Sequence, residues 1–282
     1  MINIFHSYTK MGPGKVLQNL KLGLNLCDVD YVENNFAYGI NLFLSERREM
    51  YSVRDTSTTI VGPNVWPIGN EFVLNQNYKT YLVPSDWVKN KVLDKFGMKK
   101  RDRVSVWPVG IDTEEFPEVV TNTGSLTPLF DCFIYFKRRS EKELDHAKGL
   151  LNSFGQKWTV VKYGEYSEEE FQKIIKNSKY CFSLNGTESQ GIATQEIMSS
   201  NLPIFVWDID TWKDLGEEYE CPASSVPYWD NSCGERVYSL FEQEEKFKQF
   251  INNLDSYSPR KFILDNLSLK KQAKELVDIV SK

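Results

Sequence analysis

"GTESQGIATQEIMSSNLPIFVWD", residues 186 to 208, decides how the rest of the chain is read. The stretch just before it, "KYCFSLN", reads as a strand; "GIATQEIMSS" reads as a helix and "LPIFVWD" as a second strand. Two glutamates, Glu188 and Glu196, stand on either side of Gly191, where the helix is expected to begin. Parallel α/β sheets collect ligands at the carboxyl ends of their strands, where loops lead into helix N-termini. The N–H groups around Gly191 and Ile192, with the helix dipole behind them, favour a phosphate there, and glycine lets it approach the backbone closely.

Glu188 precedes the helix, and Glu196 lies about one and a half turns inside it, where its carboxylate is expected to reach the same pocket. A phosphate cradle flanked by two hydroxyl-binding carboxylates suits a nucleotide sugar. The spacing E-x7-E is common by itself, with a loop glutamate and a solvated helix position as its bland alternative, so the weight rests on the surrounding chain.

Outward from this stretch the pattern alternates. "INIFHS" reads as a strand, "TKMGPG" as a loop and "KVLQNLKLGLNL" as a helix. "TTIVGP" and "YKTYLVP" read as buried strands closed by proline. "SDWVKNKVLDKFG" follows as a helix with Ser85 as N-cap and Gly97 as its stop, before the strand "RVSVWP". Turn formers and carboxylates then fill "VGIDTEEFPEVVTNTGSLTP", placing a boundary near Glu118. The alternation restarts with "FDCFIYF", a helix over 141 to 153, "WTVVKYG", and "SEEEFQKIIKN" capped by Ser167; "SPRKFILDNLSLKKQAKELVDIVSK" at the end reads as one amphipathic helix. Strand and helix in alternation imply parallel sheets with helices on both faces.

A chain of 282 residues is long for one domain and comfortable for two. Its hydrophobic fraction of 41% and charged fraction of 26% are those of an ordinary globular protein. A net charge of -5 argues against nucleic acid as a partner, since no basic stripe is available to displace counterions from phosphates. Five scattered cysteines without a C-x-x-C pair fit free thiols in a reducing compartment. With neither a signal sequence nor about 18 consecutive apolar residues, a cytoplasmic chain without a transmembrane segment is expected. The sequon at Asn185 is explained as a strand end.

"NGTESQGIATQEIMSSNLPIFVWD" resembles the signature of glycosyltransferase family 4, retaining enzymes of the GT-B fold. "YLVPSDWVKNKVLDKFGM" with "RVSVWPVGIDTEEF" resembles the end of that family's N-terminal domain. "IYFKRRSEKELDHA" resembles its "vGR....KG" segment, and "YGEYSEEEFQKIIKNSKYCFSL" its base-binding loop and the following helix. The resemblance covers residues 78 to 208 well and the first 77 poorly. It implies two Rossmann-like domains with parallel sheets facing a cleft: an abbreviated, acceptor-side domain over residues 1–117 and a nucleotide-sugar-binding domain over 118–282. It leaves open whether the last helix packs back on the first.

Carried over residue by residue, the resemblance implies that Glu188 contacts donor-sugar hydroxyls and Glu196 the ribose, while Gly191 and Ile192 offer N–H groups to the diphosphate. Arg138 and Lys142 match the basic pair that neutralises the leaving diphosphate. Their spacing is one residue short, and Lys137 is able to take either role. Tyr163, Gly164 and the residues to Tyr166 stand where the family holds the base, and Gly12 and Gly14, with Lys15, where a glycine loop faces the diphosphate. "KMGPGK" is not a Walker A loop, because Val16 follows Lys15.

No cofactor and no metal is implied, the nucleotide-diphosphate sugar (a UDP- or GDP-sugar) being the donor substrate and a glycan, lipid-linked or protein-linked molecule the acceptor. Peripheral membrane contact is compatible with a lipid-linked acceptor. "DID" at 208 to 210 fits a D-x-D pattern in letters but reads as a turn, and two histidines make a histidine metal site improbable. The chain departs from the family in its first half: the histidine that many members carry after a middle strand has no match in "TTIVGPNVWPIGN". That departure keeps a catalytically weak nucleotide-sugar or glycan-binding protein as the rival reading. A dinucleotide oxidoreductase is disfavoured, since no G-x-G-x-x-G follows a strand.

Overall fold

The computed structural model describes residues 1–7, 11–65, 73, 76–96, 102–119, 128–214 and 217–282. They form two compact units, one of Met1–Ile111 with Asn266–Lys282 and the other of Asp112–Asp265.

The first unit is built on a parallel sheet of β1 (Ile2–Phe5), β2 (Tyr31–Glu33), β3 (Ile40–Phe43), β4 (Thr59–Val61), β5 (Thr80–Val83) and β6 (Val104–Val106). Its strand order is β2-β1-β3-β4-β5-β6. Strands β1, β4 and β5 are buried along their whole length, as both-faces-covered parallel strands require. Among the described residues the helices are α1 (Met11–Asn25), the short α2 (Arg48–Tyr51) and α3 (Asp86–Phe96), joined at the other end of the chain by α9 (Leu269–Ser281). The glycine loop expected at 11 to 14 is instead the first turn of α1; Pro13 suits that turn, where its missing N–H has no helical partner to lose. Gly97 and all of "WPIGN", Trp66 included, lie outside the described residues.

The long C-terminal helix expected from 258 onward is two helices, α8 (Pro259–Asn266) and α9. Ser268 leaves helical geometry, with φ -65° and ψ 151°, and pairs with Ile111 as an isolated parallel bridge. The Ile111 N–H also donates to the Leu267 carbonyl at 2.8 Å. From that break α9 runs along the first unit. Trp107 donates its indole N–H to the Gln272 carbonyl at 2.8 Å, and Lys79 donates to the Val280 carbonyl at 2.8 Å.

The second unit carries β7 (Phe130–Lys137), α4 (Glu141–Ser153), β8 (Trp158–Lys162), α5 (Glu168–Lys176), β9 (Ser178–Asn185), α6 (Ile192–Ser199) and β10 (Ile204–Trp207). A small antiparallel hairpin follows, β11 (Thr211–Asp214) with β12 (Glu217–Pro222), then β13 (Gly234–Val237) and α7 (Leu240–Asn252). The sheet is parallel throughout, in the order β13-β10-β9-β7-β8. Ser140 and Ser167 close capping boxes with Glu143 and Glu170, which is why α4 and α5 start where the sequence places them.

One face of this sheet packs Phe182, Phe205, Phe247 and Phe250 into an aromatic core. The turn-rich stretch beginning at Asp112 belongs to this unit but packs outside that cluster: Phe116 is buried against Phe171, and its carbonyl accepts from Ser199 Oγ at 2.8 Å. All five cysteines are free thiols. Among the described residues no helix is long and apolar enough to cross a membrane.

Leu276 in α9 is wholly buried. Leu276→Ala is expected to lower stability by about 2 to 5 kcal/mol in chemical denaturation followed by Trp fluorescence. A loss below about 1 kcal/mol would show that α9 contributes no core to the first unit.

Candidate functional site

The strand order of the second unit has one reversal, between β7 and β9. From β7 the chain moves outward to β8, then returns past β7 to β9 and continues to β10 and β13. Connections on either side of such a reversal leave in opposite directions and open a crevice at the strands' carboxyl ends. The segments bordering it are Lys137 to Arg139 after β7 and Asn185 to Gly191 after β9.

Those two segments are joined by their backbones. The Gly186 N–H donates to the Lys137 carbonyl at 2.7 Å. A Cβ on Gly186 would stand 2.7 Å from the Lys213 carbonyl oxygen and 2.9 Å from that of Arg138, so only glycine lets three backbones meet here. Next in the chain, Thr187 donates its N–H to the Lys213 carbonyl at 2.8 Å and accepts the Lys213 N–H on Oγ1 at 2.8 Å. The Glu188 N–H donates to the Ser224 carbonyl at 3.0 Å. Gly191, the N-cap of α6, takes φ 77°, a left-handed conformation that β-carbon-bearing residues resist.

Glu188 is 8% exposed, and its Oε1 lies 2.6 Å from Lys137 Nζ, which also sits 4.2 Å above the ring of Tyr163. Tyr163, 37% exposed, begins the turn after β8, in which Gly164 takes φ 84°. Glu196, 5% exposed, shares a neighbour with Glu188. Burial pushes the Tyr135 phenol well above its ordinary range, its partner Tyr166 adds to this, and the charges of Glu188 and Glu196 push it further. Tyr135 and Tyr166 are hydrogen-bonded at 3.0 Å, and burial raises Tyr166 to about 12, with Glu196 adding. Both phenols therefore remain protonated donors near neutral pH. The charges of both carboxylates that bracket Gly191 in sequence thus act on one buried tyrosine.

The basic cluster divides into distinct positions. Lys137 faces Glu188. Arg138 is exposed, with φ 56°, and Lys142 is exposed in the first turn of α4. Arg139, unremarked in the sequence, has a side chain only 2% exposed. Its Nη1 donates to the carbonyls of Asn185 and Trp207, each at 3.1 Å, and Nη2 to Glu143 Oε1 at 2.7 Å, while Trp207 stacks beneath it. Lys213 Nζ meets the same Glu143 oxygen at 2.9 Å. Burial would raise the Glu143 carboxyl, but hydrogen bonds from Arg139 and Lys213 outweigh it and hold the group at about 2.

Gly12 and Gly14 lie in the first turn of α1, in the other unit. His6 hydrogen-bonds Glu33 at 2.9 Å, and His146 stands on α4 with its ring edge toward Trp207. Asn185 is fully buried, with Nδ2 bonded to Thr194 Oγ1 at 3.4 Å, so its sequon is out of reach in the folded chain. Asp208 lies beneath the surface at the end of β10 and serves the local backbone. No cluster of three histidine, cysteine, aspartate or glutamate side chains suited to a metal occurs among the described residues. Tyr135, the hydrogen-bond partner of the candidate Tyr166, and the hairpin after β10 escaped the sequence reading. Their signal was available only as a tyrosine at the end of an apolar strand and a turn of mixed aromatics and charges.

No protein-family profile matches the chain, and no curated protein matches it in sequence. Solved structures do. The lipopolysaccharide outer core galactosyltransferase WaaB, in its apo form, matches with a TM-score of 0.60 at 12% identity, over 99% of this chain and 98% of WaaB. Anabaena HepE, in complex with UDP and glucose, matches with 0.58 at 8% identity, over 99% of both chains. TarM matches with 0.59 at 10% identity, over 86% of this chain, which spans only 55% of TarM. The fold is GT-B. Within this GT-B chain, the unit of Asp112–Asp265 brings Lys137, Glu188, Glu196, Tyr135 and Tyr163 to one switch point.

Gly186→Ala forces a methyl group onto backbone oxygens and is expected to displace the Glu188 segment, lowering the melting temperature; an unchanged thermal transition would contradict the close approach. The Glu143 pairing predicts a pH signature. Its depressed carboxyl contributes stability above the unfolded-state value of about 4.5, and that contribution is lost as pH falls towards about 2. The stability difference between the protein and Glu143→Gln in urea is expected to be full at pH 6 and to shrink between those limits. A difference independent of pH would exclude the pairing.

Proposed function

We propose that the chain is a retaining glycosyltransferase, moving a sugar from a nucleotide-diphosphate sugar to a glycan, lipid-linked or protein-linked acceptor. The observation that carries this reading is the placement of Glu188 at the switch point of a GT-B unit, 2.6 Å from Lys137 and just ahead of the α6 N-terminus, with Glu196 buried in the same helix. HepE, of the same fold, binds UDP and glucose, which supports a nucleotide-sugar donor.

In this reading Glu188 binds hydroxyls of the donor sugar and Glu196 those of the ribose. The N–H groups at Gly191 and Ile192 receive the diphosphate. Arg138 and Lys142, with Lys137, neutralise it as it leaves, and Tyr163 with Gly164 borders the base. The bond from the anomeric carbon to the diphosphate oxygen breaks, the acceptor oxygen bonds to the same face of that carbon, and the acceptor proton passes to the departing phosphate. The protein contributes position and charge stabilisation, each charge-assisted bond adding about 1.5 to 3 kcal/mol. Such chemistry needs no metal, and a cytoplasmic chain with direct access to nucleotide sugars is consistent with it.

The test is a calorimetric and turnover screen of UDP- and GDP-sugars. One preferred donor, bound and slowly hydrolysed, is expected, with turnover reduced roughly 10- to 100-fold by Glu188→Gln and by Arg138→Ala. Binding without turnover across donors and acceptors would favour a nucleotide-sugar-binding protein on this fold. No binding at all would overturn the reading.

A further inference from the structure

Between β10 and β13 the chain makes an excursion through the hairpin before returning to the sheet, and Asp208 stands at its root. The Asp208 side chain is wholly buried. Its Oδ1 accepts the Ile209 N–H at 2.8 Å, the Ser225 N–H at 2.7 Å, Ser225 Oγ at 2.7 Å and Ser224 Oγ at 3.3 Å. Its Oδ2 accepts Ser224 Oγ at 3.1 Å and lies 3.5 Å from Arg236 Nη1. A buried carboxylate that gathers donors from two consecutive serines holds their loop in one geometry.

That loop borders the site. The Ser224 carbonyl accepts the Glu188 N–H at 3.0 Å, and Ser224 Oγ accepts the Val226 N–H at 2.9 Å. Pro227 Cδ and the Ser225 carbonyl oxygen would stand 3.6 Å and 4.0 Å from a Cβ placed on Gly191. The loop therefore abuts both the backbone of Glu188 and the start of α6. Earlier in the same excursion, Lys213 grips Thr187 by its backbone. Glu188 is fixed by its own amide and through Thr187, the residue before it.

We propose that Asp208 is a positioning residue for the donor site: through Ser224 and Ser225 it sets the backbone from which Glu188 reaches the donor sugar. Asp208 touches no reacting atom. The proposal rests on the reading of Glu188 as a donor-sugar ligand and adds a residue that the E-x7-E pattern does not contain.

A double-mutant cycle on ligand affinity tests it, with UDP-glucose against UDP and GDP-mannose against GDP as probes. Asp208→Asn keeps the shape but replaces one acceptor oxygen with a donor. It is expected to weaken the sugar-bearing ligand about 10- to 100-fold and the bare nucleotide less than about 3-fold. In a Glu188→Ala background, where no side chain remains to be positioned, the same substitution is expected to cost less than about 2-fold more. Ser225→Ala, which removes one donor and leaves the charge, provides a milder second arm if Asp208→Asn fails to fold, and its effect is expected to vanish in the same background.

Equal losses with and without the Glu188 side chain, or equal losses for sugar-bearing and bare nucleotides, would make Asp208 a structural anchor only and overturn the proposal. If the unsubstituted protein itself binds neither nucleotide sugar better than the bare nucleotide, the reading of Glu188 fails and the positioning role falls with it.

Discussion

The Arg139 guanidinium is the constraint on which the second unit's crevice depends. It follows β7 by two residues, donates to the last residues of β9 and β10, and pairs with Glu143 in the first turn of α4. Three strand ends and one helix start are thereby tied to a single planar cation. Burying that charge is costly by itself, and the cost is offset here because Glu143 and two carbonyls share it and Trp207 lies beneath it. Glu143 in turn holds Lys213, so the hairpin is tethered to the same point.

With the strand ends held, the two loops at the switch point have little freedom. Gly186 brings the backbones after β7 and β9 into contact, and Lys213 and Ser224 take the amides of Thr187 and Glu188. The Glu188 side chain, resting against Lys137, is then presented beside the N-terminus of α6. Preorganisation of this kind is what the proposed transfer chemistry, in which positions and fixed charges lower the barrier, requires.

Much of this architecture was legible in the chain. Apolar runs marked β1, β4, β5, β7, β9 and β10, with proline closing β4 and β5, and Ser167 marked a helix start through local capping that needs no tertiary partner. Two local readings failed for opposite reasons. The "MGPG" segment looked like a loop because two glycines weaken helix propensity, yet Pro13 falls where a helix tolerates it. The C-terminal segment looked like one helix because its periodicity runs on, yet Ser268 is drawn out of helical geometry by pairing with Ile111, a partner more than 150 residues distant.

At the site, the sequence by itself determined that two carboxylates flank a glycine between a buried strand and a helix, because strand, turn and helix patterns are carried by neighbouring residues. Tertiary structure alone decided which member of "FKRRSEK" does what. Adjacent residues after a strand diverge, so Lys137 meets Glu188, Arg138 remains exposed and Arg139 is buried beneath the strand ends. The Tyr135 and Tyr166 pair and the hold of Asp208 on Ser224 and Ser225 likewise join segments far apart in the chain. Such contacts depend on the order in which a parallel sheet assembles its strands, and no local pattern encodes that order.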